Sequence, residues 1–270
     1  MFDTVVALER AEIDAFTDLY RAASPEVVDA SGLTVSNVGD LVVLAANKID
    51  VLALNRVLGL GLMQPIPDRL LDDLLSVLTE RRSPRFFIPL APVNGHERIK
   101  QALLMNGIRH HNNWVRLSRT MRDIPGDTST DVDVREIDRD SADVFGDIVA
   151  TAFGYPPAVA PLAGQTVGRP GWRHYLAYAG DTPIGSAAMY VSGETAWFGF
   201  AATDAAHRRR GAQRALVIRR LLDAAAVGCS RVSVETAEDG VVKDAPSFRT
   251  LRRLGFEIVY TRPNYIWIRA

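Results

Sequence analysis

The sequence has little cysteine, no long apolar run and almost no excess charge of either sign. Its single cysteine, Cys229, excludes an internal disulfide and any multi-cysteine metal site, and it predicts a reducing, cytoplasmic setting. The longest aliphatic run, residues 41–46, is far shorter than the ~18–20 apolar residues that span a bilayer. Asp3 and Glu9 stand where a secretory signal would need basic and then apolar residues. We therefore expect no membrane partner and no export.

The charge balance also narrows the classes of partner. Lys and Arg total 31 against 32 Asp and Glu, a formal net charge of -1, whereas proteins that coat nucleic acid normally carry a basic excess. We therefore expect no nucleic-acid partner. Hydrophobic residues make up 47% and charged residues 23% of the chain, a mix typical of globular proteins that excludes a disordered chain.

One polar segment divides the chain. Residues 123–131 contain Pro125 and Gly126 and have no periodic apolar pattern, which is typical of a linker. A length of 270 residues suits two domains of about 150 residues or less. We therefore predict domains at 1–122 and 132–270.

The two predicted domains end on the same pattern of strand, helix, glycine and strand. In the first they are predicted at 85–90, 97–106, Gly107 and 113–117, and in the second at 231–235, 247–254, Gly255 and 264–268. Order and spacing agree, and both last strands begin with Asn, an aromatic and an aliphatic residue. This agreement favours a tandem repeat.

The remainder of the second domain predicts an α+β fold, with a mixed sheet and helices packed on it. The predicted elements are a strand at 131–137, a helix at 141–153 capped by Asp140, a proline-rich loop at 154–171, strands at 172–179, 184–191 and 196–203, and a helix at 210–227. The three middle strands are joined by tight turns, which predicts an antiparallel meander before the long helix.

The segment between the last meander strand and this helix has the layout of a phosphate site. Three arginines, 208–210, and then Gly211 precede the first helical turn. That turn leaves backbone N–H groups free and carries partial positive charge, while glycine lets the backbone approach a phosphate closely. Neither a P-loop nor a Rossmann glycine pattern is present. A solvated charge run and a nucleic-acid contact are the alternatives for the arginines.

His207-Arg-Arg-Arg-Gly-Ala-Gln-Arg-Ala-Leu216 resembles the coenzyme A loop of the GNAT superfamily of N-acetyltransferases. Gln213 departs from the usual Gly or Ala and resembles a subset with R-G-A-Q. The segment 247–256, ending in Leu-Gly-Phe, resembles the second motif of the family. The resemblance covers about 132–270 and implies acetyl-CoA as cosubstrate, with no metal. It implies the following coenzyme-binding residues: Ala201, Ala202, Thr203, Arg208, Arg209, Arg210, Gly211, Ala212, Gln213, Arg214 and Ser247.

The first domain is similar to a degenerate copy of this fold. Residues 60–68, where the loop is expected, contain no arginine, and Pro65 and Pro67 remove backbone donors. We therefore expect tandem GNAT-like domains with coenzyme bound only in the second. The chain is expected to act as a monomer or homodimer.

The resemblance also implies direct attack by an amine on the thioester, with an oxyanion donor from the strand that ends at Thr203. Only the neutral amine is a nucleophile, so a base is needed, and Glu235, Glu194 and Asp204 are candidates. The family often places a tyrosine acid where Leu251 stands here. Departure as free thiolate and protonation by Tyr260, Tyr265 or Ser247 remain alternatives.

The acceptor is a small-molecule or peptide amine in this interpretation. Trp172, His174 and Tyr178 are candidates for its cleft, although aromatic residues at alternating strand positions are more often core. A catalytically weak acyl-CoA-binding or sensing protein is the first alternative, because of Leu251. A nucleic-acid-binding module that uses the arginine loop is the second.

Overall fold

The computed structural model describes residues 2–62, 69–92, 95–126, 131–237 and 245–269. Eight α-helices lie in these residues: α1 Phe2–Arg21, α2 Pro25–Ser31, α3 Leu70–Glu80, α4 His96–Met105, α5 Ala142–Phe153, α6 Val159–Gly164, α7 Ala212–Ala226 and α8 Pro246–Arg253. The strands there are β1 Leu33–Val38, β2 Leu41–Ala46, β3 Arg56–Leu58, β4 Arg85–Pro89, β5 Arg109–Thr120, β6 Asp133–Glu136, β7 Trp172–Ala179, β8 Thr182–Ser192, β9 Thr195–Thr203, β10 Arg231–Ala237 and β11 Glu257–Ile268. No helix of the described part is long and apolar enough to cross a membrane.

The chain divides into two compact units. Unit 1 contains Met1–Val115 and Tyr260–Ala270, and unit 2 contains Arg116–Val259. The last residues of the chain therefore group with unit 1, although sequence order places them after unit 2. The domain limits 1–122 and 132–270 remain a prediction. Residues 127–130 of the proposed linker and 63–68 of the proposed degenerate loop lie outside the described residues.

In unit 1 the strand order is β1-β2-β3-β4-β11-β5. β3 and β4 are parallel, whereas β11 pairs antiparallel with β4, from Asn264 opposite Pro89 to Ile268 opposite Arg85. Apolar side chains of β2, β4, α3 and α4 form its core, together with Tyr265 of β11. Gly107 has φ 74° and ends the turn after α4, as predicted from its position.

Unit 1 also buries a compact group of charges. The guanidinium Nη1 of Arg262 lies 2.9 Å from Glu9 Oε2 and 2.6 Å from Glu12 Oε2. Arg56 Nη1 lies 3.0 Å from Glu12 Oε1, and the Tyr260 hydroxyl donates to Glu9. These two carboxylates and two guanidinium groups balance in charge, which is the condition under which buried ions are tolerated.

In unit 2 the strand order is β5-β10-β9-β8-β7-β6. β6 to β9 form the predicted antiparallel meander, and β10 runs parallel to β9. α7 packs on β7, β8 and β9, while α5 packs against α6 so closely that a Cβ at Gly146 would lie 2.2 Å from the Ala160 carbonyl oxygen. The predicted α+β fold, with a mostly antiparallel mixed sheet flanked by helices, is confirmed.

Candidate active site

The end of β9 is shaped by a bulge and by loss of pairing. The β9–β10 register ends at Phe198 opposite Val234, five residues before β9 itself ends at Thr203. On the other side, Ser186 lies opposite Ala202 but Ala188 lies opposite Gly199, so β9 holds one extra residue there. Phe200, within this bulge, has φ 50°, which is unfavourable for a bulky side chain. Strained backbone of this kind clusters at functional sites.

The residues after the bulge line a cavity of about 730 Å³. Its wall consists of residues from the ends of α5 and β9, the loop before α7, the first turns of α7, and α8: Ala152, Phe153, Ala201, Ala202, Thr203, His207, Arg208, Arg209, Gly211, Ala212, Gln213, Arg214, Leu216, Pro246, Ser247, Thr250 and Arg253. A cavity of this size is typical of small-molecule sites. All of these residues belong to unit 2.

Gly211 is the N-cap of α7 and has φ 86°. A left-handed backbone at this point is readily adopted by glycine, and it turns the chain from the arginine loop into the helix. The first helical residues, Ala212, Gln213 and Arg214, follow at once and line the cavity. Their N–H groups are among those that an α-helix leaves without intrahelical partners, so the helix end favours an anion.

The cavity wall is strongly cationic. Four arginines and His207 line it, and among the described residues no carboxylate does. Arg208 and Arg209 are exposed to solvent. His207 Nδ1 lies 3.4 Å from Asp204 Oδ1, which orients the imidazole. A wall of this charge suits a ligand with several phosphate groups.

Ten of the eleven predicted coenzyme-binding residues lie on this cavity wall. Arg210, the exception, is exposed but does not line it. Sequence reasoning missed His207, Thr250, Arg253 and the α5 residues Ala152 and Phe153. The ring of Phe153 is 47% exposed and stacks on Tyr155 with 5.5 Å between centroids. In α8, Thr250 lies three residues after Ser247 and three before Arg253, so helical spacing places Thr250 beside Ser247, a signal that could have identified it.

None of the three candidate bases lines the cavity. Glu235 Oε2 lies 3.5 Å from Arg116 Nη2, and its side chain is only 8% exposed. Glu194 is exposed in the β8–β9 turn, where its carbonyl accepts from Ser230 N–H at 2.9 Å. Asp204 caps the short 3-10 turn before the arginine loop, and the hydrogen bond from the Ala206 N–H lowers its pKa. A base of lowered pKa is a poor proton acceptor.

The candidate acids Tyr260 and Tyr265 belong to unit 1 and do not line the cavity. Tyr260 is 8% exposed and donates to Glu9. Tyr265 is 2% exposed within the unit 1 core, and burial raises its pKa. Ser247, the third candidate, does line the cavity, and Leu251 is buried in α8.

The three aromatic residues suggested for an acceptor cleft, Trp172, His174 and Tyr178, do not line the cavity either. Trp172 and His174 are buried, with their rings stacked 5.5 Å apart, and Phe145 meets His174 edge-on at 4.8 Å. The Tyr178 ring lies beneath the Arg135 guanidinium at 4.3 Å. Trp172 and His174 therefore belong to the core. This part of the core lies next to the bulge, since the ring centroids of Trp172 and Phe200 are 6.2 Å apart.

Comparison with known proteins identifies the class. Residues 145–256 match the model of the acetyltransferase (GNAT) family. Among solved structures, the chain is similar to a GCN5-related N-acetyltransferase from Kribbella flavida, with TM-score 0.60 and 17% identity over 88% of this chain and 90% of that one. It is also similar to a tandem GNAT protein from the clavulanic acid biosynthesis pathway, with TM-score 0.56 and 15% identity over 84% and 78% of the two chains.

A functionally unknown conserved protein from Staphylococcus epidermidis gives TM-score 0.60 at 11% identity over 87% of this chain and 93% of that one. No curated protein sequence matches. At these identities the structural likeness shows the fold. Residues 145–256 are thus similar to the GNAT acetyltransferase family, and the fold of the chain is similar to that of a tandem GNAT protein.

Proposed function

We propose that the unit 2 cavity binds acetyl-CoA and that the protein transfers the acetyl group to a primary amine of a small molecule or peptide. One observation carries this proposal: the cationic loop, the α7 N-terminus and the bulged end of β9 all line the same cavity. Phosphate groups of the coenzyme would lie at the loop and helix end, where backbone donors and arginines converge. The thioester would then lie toward β9.

At β9, the small side chains of Ala201 and Ala202 leave space for an acetyl group. A backbone N–H of residues 201–203 is the proposed donor to the oxyanion that forms during attack. The amine nitrogen bonds to the thioester carbonyl carbon, the C–S bond breaks, and coenzyme A leaves as its thiolate. The proton of the attacking nitrogen passes to water, because the carboxylates proposed as bases do not line the cavity.

A second function is favoured by a specific observation. The usual position of the tyrosine acid holds buried Leu251, whose side chain has no proton to donate. General acid assistance is typically worth ~10²–10⁴-fold in rate, so its loss would slow transfer greatly. The alternative is therefore a protein that binds acyl-CoA and responds to it without rapid turnover.

Release of free thiol from acetyl-CoA separates these functions. The full-length protein is mixed with acetyl-CoA and a panel of primary amines that includes polyamines, amino acids and peptide N-termini. Amine-dependent thiol release, together with the mass of the acetylated amine, supports transfer. The control is Gly211→Glu, which places a carboxylate at the phosphate site and should abolish release. Tight acetyl-CoA binding with no amine-dependent release across the panel would instead favour the binding protein.

A further inference from the structure

One arginine of α7, Arg220, contacts the backbone of the sheet and does not line the cavity. Arg220 is 2% exposed. Its Nη1 donates to the Ala188 carbonyl oxygen of β8 at 3.1 Å and lies 3.5 Å from the Gly199 carbonyl oxygen of β9. Its Nε donates to the Leu216 carbonyl oxygen at 3.1 Å, and its guanidinium lies 4.3 Å from the centre of the Phe198 ring. The contacts of this side chain therefore converge on β8 and β9.

Burial of this charge is costly. Removal from water lowers the pKa of Arg220 to about 9. A buried charge is tolerated only when hydrogen bonds compensate it, and an apolar residue of similar volume often serves stability as well or better. Packing of α7 on the sheet would not by itself require a guanidinium here. The two strand carbonyl oxygens that Arg220 contacts therefore indicate what its charge is for.

These carbonyls mark the start of the β9 bulge. Ala188 and Gly199 lie opposite each other at the last regular pair before the register shift. On the far side of that shift, Ser186 Oγ donates to the Phe200 carbonyl oxygen at 3.2 Å. Side chains thus hold two successive carbonyls of β9, those of Gly199 and Phe200. The strained φ of Phe200 needs such support, because unfavourable backbone persists only where its surroundings fix it.

We propose that Arg220 is a positioning residue, which holds the β9 bulge so that the backbone of residues 201–203 faces the cavity. This inference rests on the proposed acetyl transfer for its effect on rate, but its effect on the bulge is independent of function. The guanidinium contacts carbonyl oxygens of both β8 and β9, which fixes Gly199 relative to β8. The direction in which residues 200–203 continue beyond the last regular strand pair is then fixed as well. Misplacement of a donor by about 1 Å can cost 10²-fold in rate.

The test compares neighbouring arginines of the same helix. Arg220→Met removes the fork from the bulge. Arg219→Met is the matched control, because Arg219 is half-buried, pairs with Asp223 at 2.9 Å and donates to the Val134 carbonyl oxygen of β6. Two quantities are measured in the full-length protein: amide hydrogen exchange of residues 199–203, and coenzyme A affinity. Turnover of acetyl-CoA is added with any amine that the wild type accepts.

Arg220→Met should speed exchange at 199–203 at least about tenfold, since a lost hydrogen bond to a charged group lowers the opening free energy. Its kcat should fall about 10–100-fold while coenzyme A affinity stays within about threefold, because the arginine loop is unchanged. Arg219→Met should alter none of these. Arg220→Lys keeps the charge but lacks the planar guanidinium, so its exchange rate at 199–203 and its kcat should lie between those of the wild type and Arg220→Met. If Arg220→Met does not fold, the comparison of Arg220→Lys with Arg219→Met tests the proposal.

Exchange at 199–203 that is as slow in the folded Arg220 variants as in Arg219→Met would overturn the proposal. If the wild type turns over no amine, the proposed transfer fails while exchange still decides the role of Arg220. If turnover falls equally in the Arg219 and Arg220 variants, the residue acts through general stability of α7 and not through the bulge.

Discussion

Two groups of arginines, one in each unit, have opposite surroundings. In unit 1, Arg56 and Arg262 are buried and held by Glu9 and Glu12. In unit 2, exposed arginines of the loop before α7 line an open cavity. Both predicted domains, 1–122 and 132–270, end on the same strand–helix–glycine–strand pattern, so the pattern by itself does not distinguish them.

The surroundings of a guanidinium decide whether it can bind a ligand phosphate. A guanidinium that is already paired with carboxylates in a dry interior has no donors to offer to a ligand phosphate. Arg208 and Arg209 are exposed on a cavity wall that has no carboxylate among the described residues, so a ligand phosphate can accept hydrogen bonds from them. We propose that the buried charges of unit 1 stabilise its fold, and that the charges on the cavity wall of unit 2 bind the coenzyme.

The largest expected effect is on the stability of unit 1. Arg262→Met leaves Glu9 and Glu12 buried with less compensation, because both carboxylates lie within 3 Å of this guanidinium. Breaking a buried pair by removal of one partner costs about 3–5 kcal/mol. Urea denaturation followed by circular dichroism should show a loss of this size in the free energy of unfolding.

The exposed pair of the same unit is the control. Arg85 Nε lies 2.8 Å from Asp50 Oδ1, with side chains 39% and 58% exposed. Arg85→Met should cost less than about 1 kcal/mol, because solvent screens such pairs. Equal losses in the two variants would contradict the structural role assigned to the buried charges.

A smaller effect is expected from the buried histidine of unit 2. Burial lowers the pKa of His174 to about 3, and its Nε2 lies 3.0 Å from Thr166 Oγ1. The unfolded chain, with an ordinary value near 6.5, takes up a proton before the folded chain does. The stability from neutral His174 is therefore complete above about pH 6.5 and is lost as pH falls toward 3.

Between pH 6.5 and pH 5 this linkage amounts to about 2 kcal/mol, at roughly 1.4 kcal/mol per pH unit. His174→Phe, which keeps a ring in the aromatic cluster, should remove that part of the pH dependence. The measurement is the free energy of unfolding of both proteins from pH 8 to pH 5. The wild-type curve should fall more steeply below pH 6.5 and run parallel to the variant above pH 7. Parallel curves throughout would show that His174 is protonated at the same pH in both states.

Local patterns predicted most of the fold. Glycines such as Gly107 and Gly255 end helices with positive φ, at 74° and 78°, as their positions indicated. The cationic loop before α7 could be identified as a candidate site because its arginines and Gly211 are nearly consecutive, and most of them line the cavity. The assignment of β11 residues from Tyr260 onward to unit 1 could not, since it depends on long-range strand pairing with β4. The assignment of Tyr260 and Tyr265 to unit 1 has the same cause, because both lie on this strand.

The central claim is that one coenzyme binds per chain, at the unit 2 cavity. Titration calorimetry of coenzyme A into the full-length protein tests it, with Gly211→Glu against Gly180→Glu. Both glycines have positive φ, at 86° and 61°, but Gly180 lies in the β7–β8 turn, where an added Cβ would have no atom within 4 Å. We expect about one site in the wild type and in Gly180→Glu. Gly211→Glu should bind at least about tenfold more weakly, because the added carboxylate would occupy the phosphate site and repel a phosphate there. Two sites per chain, or unchanged affinity in folded Gly211→Glu, would contradict it.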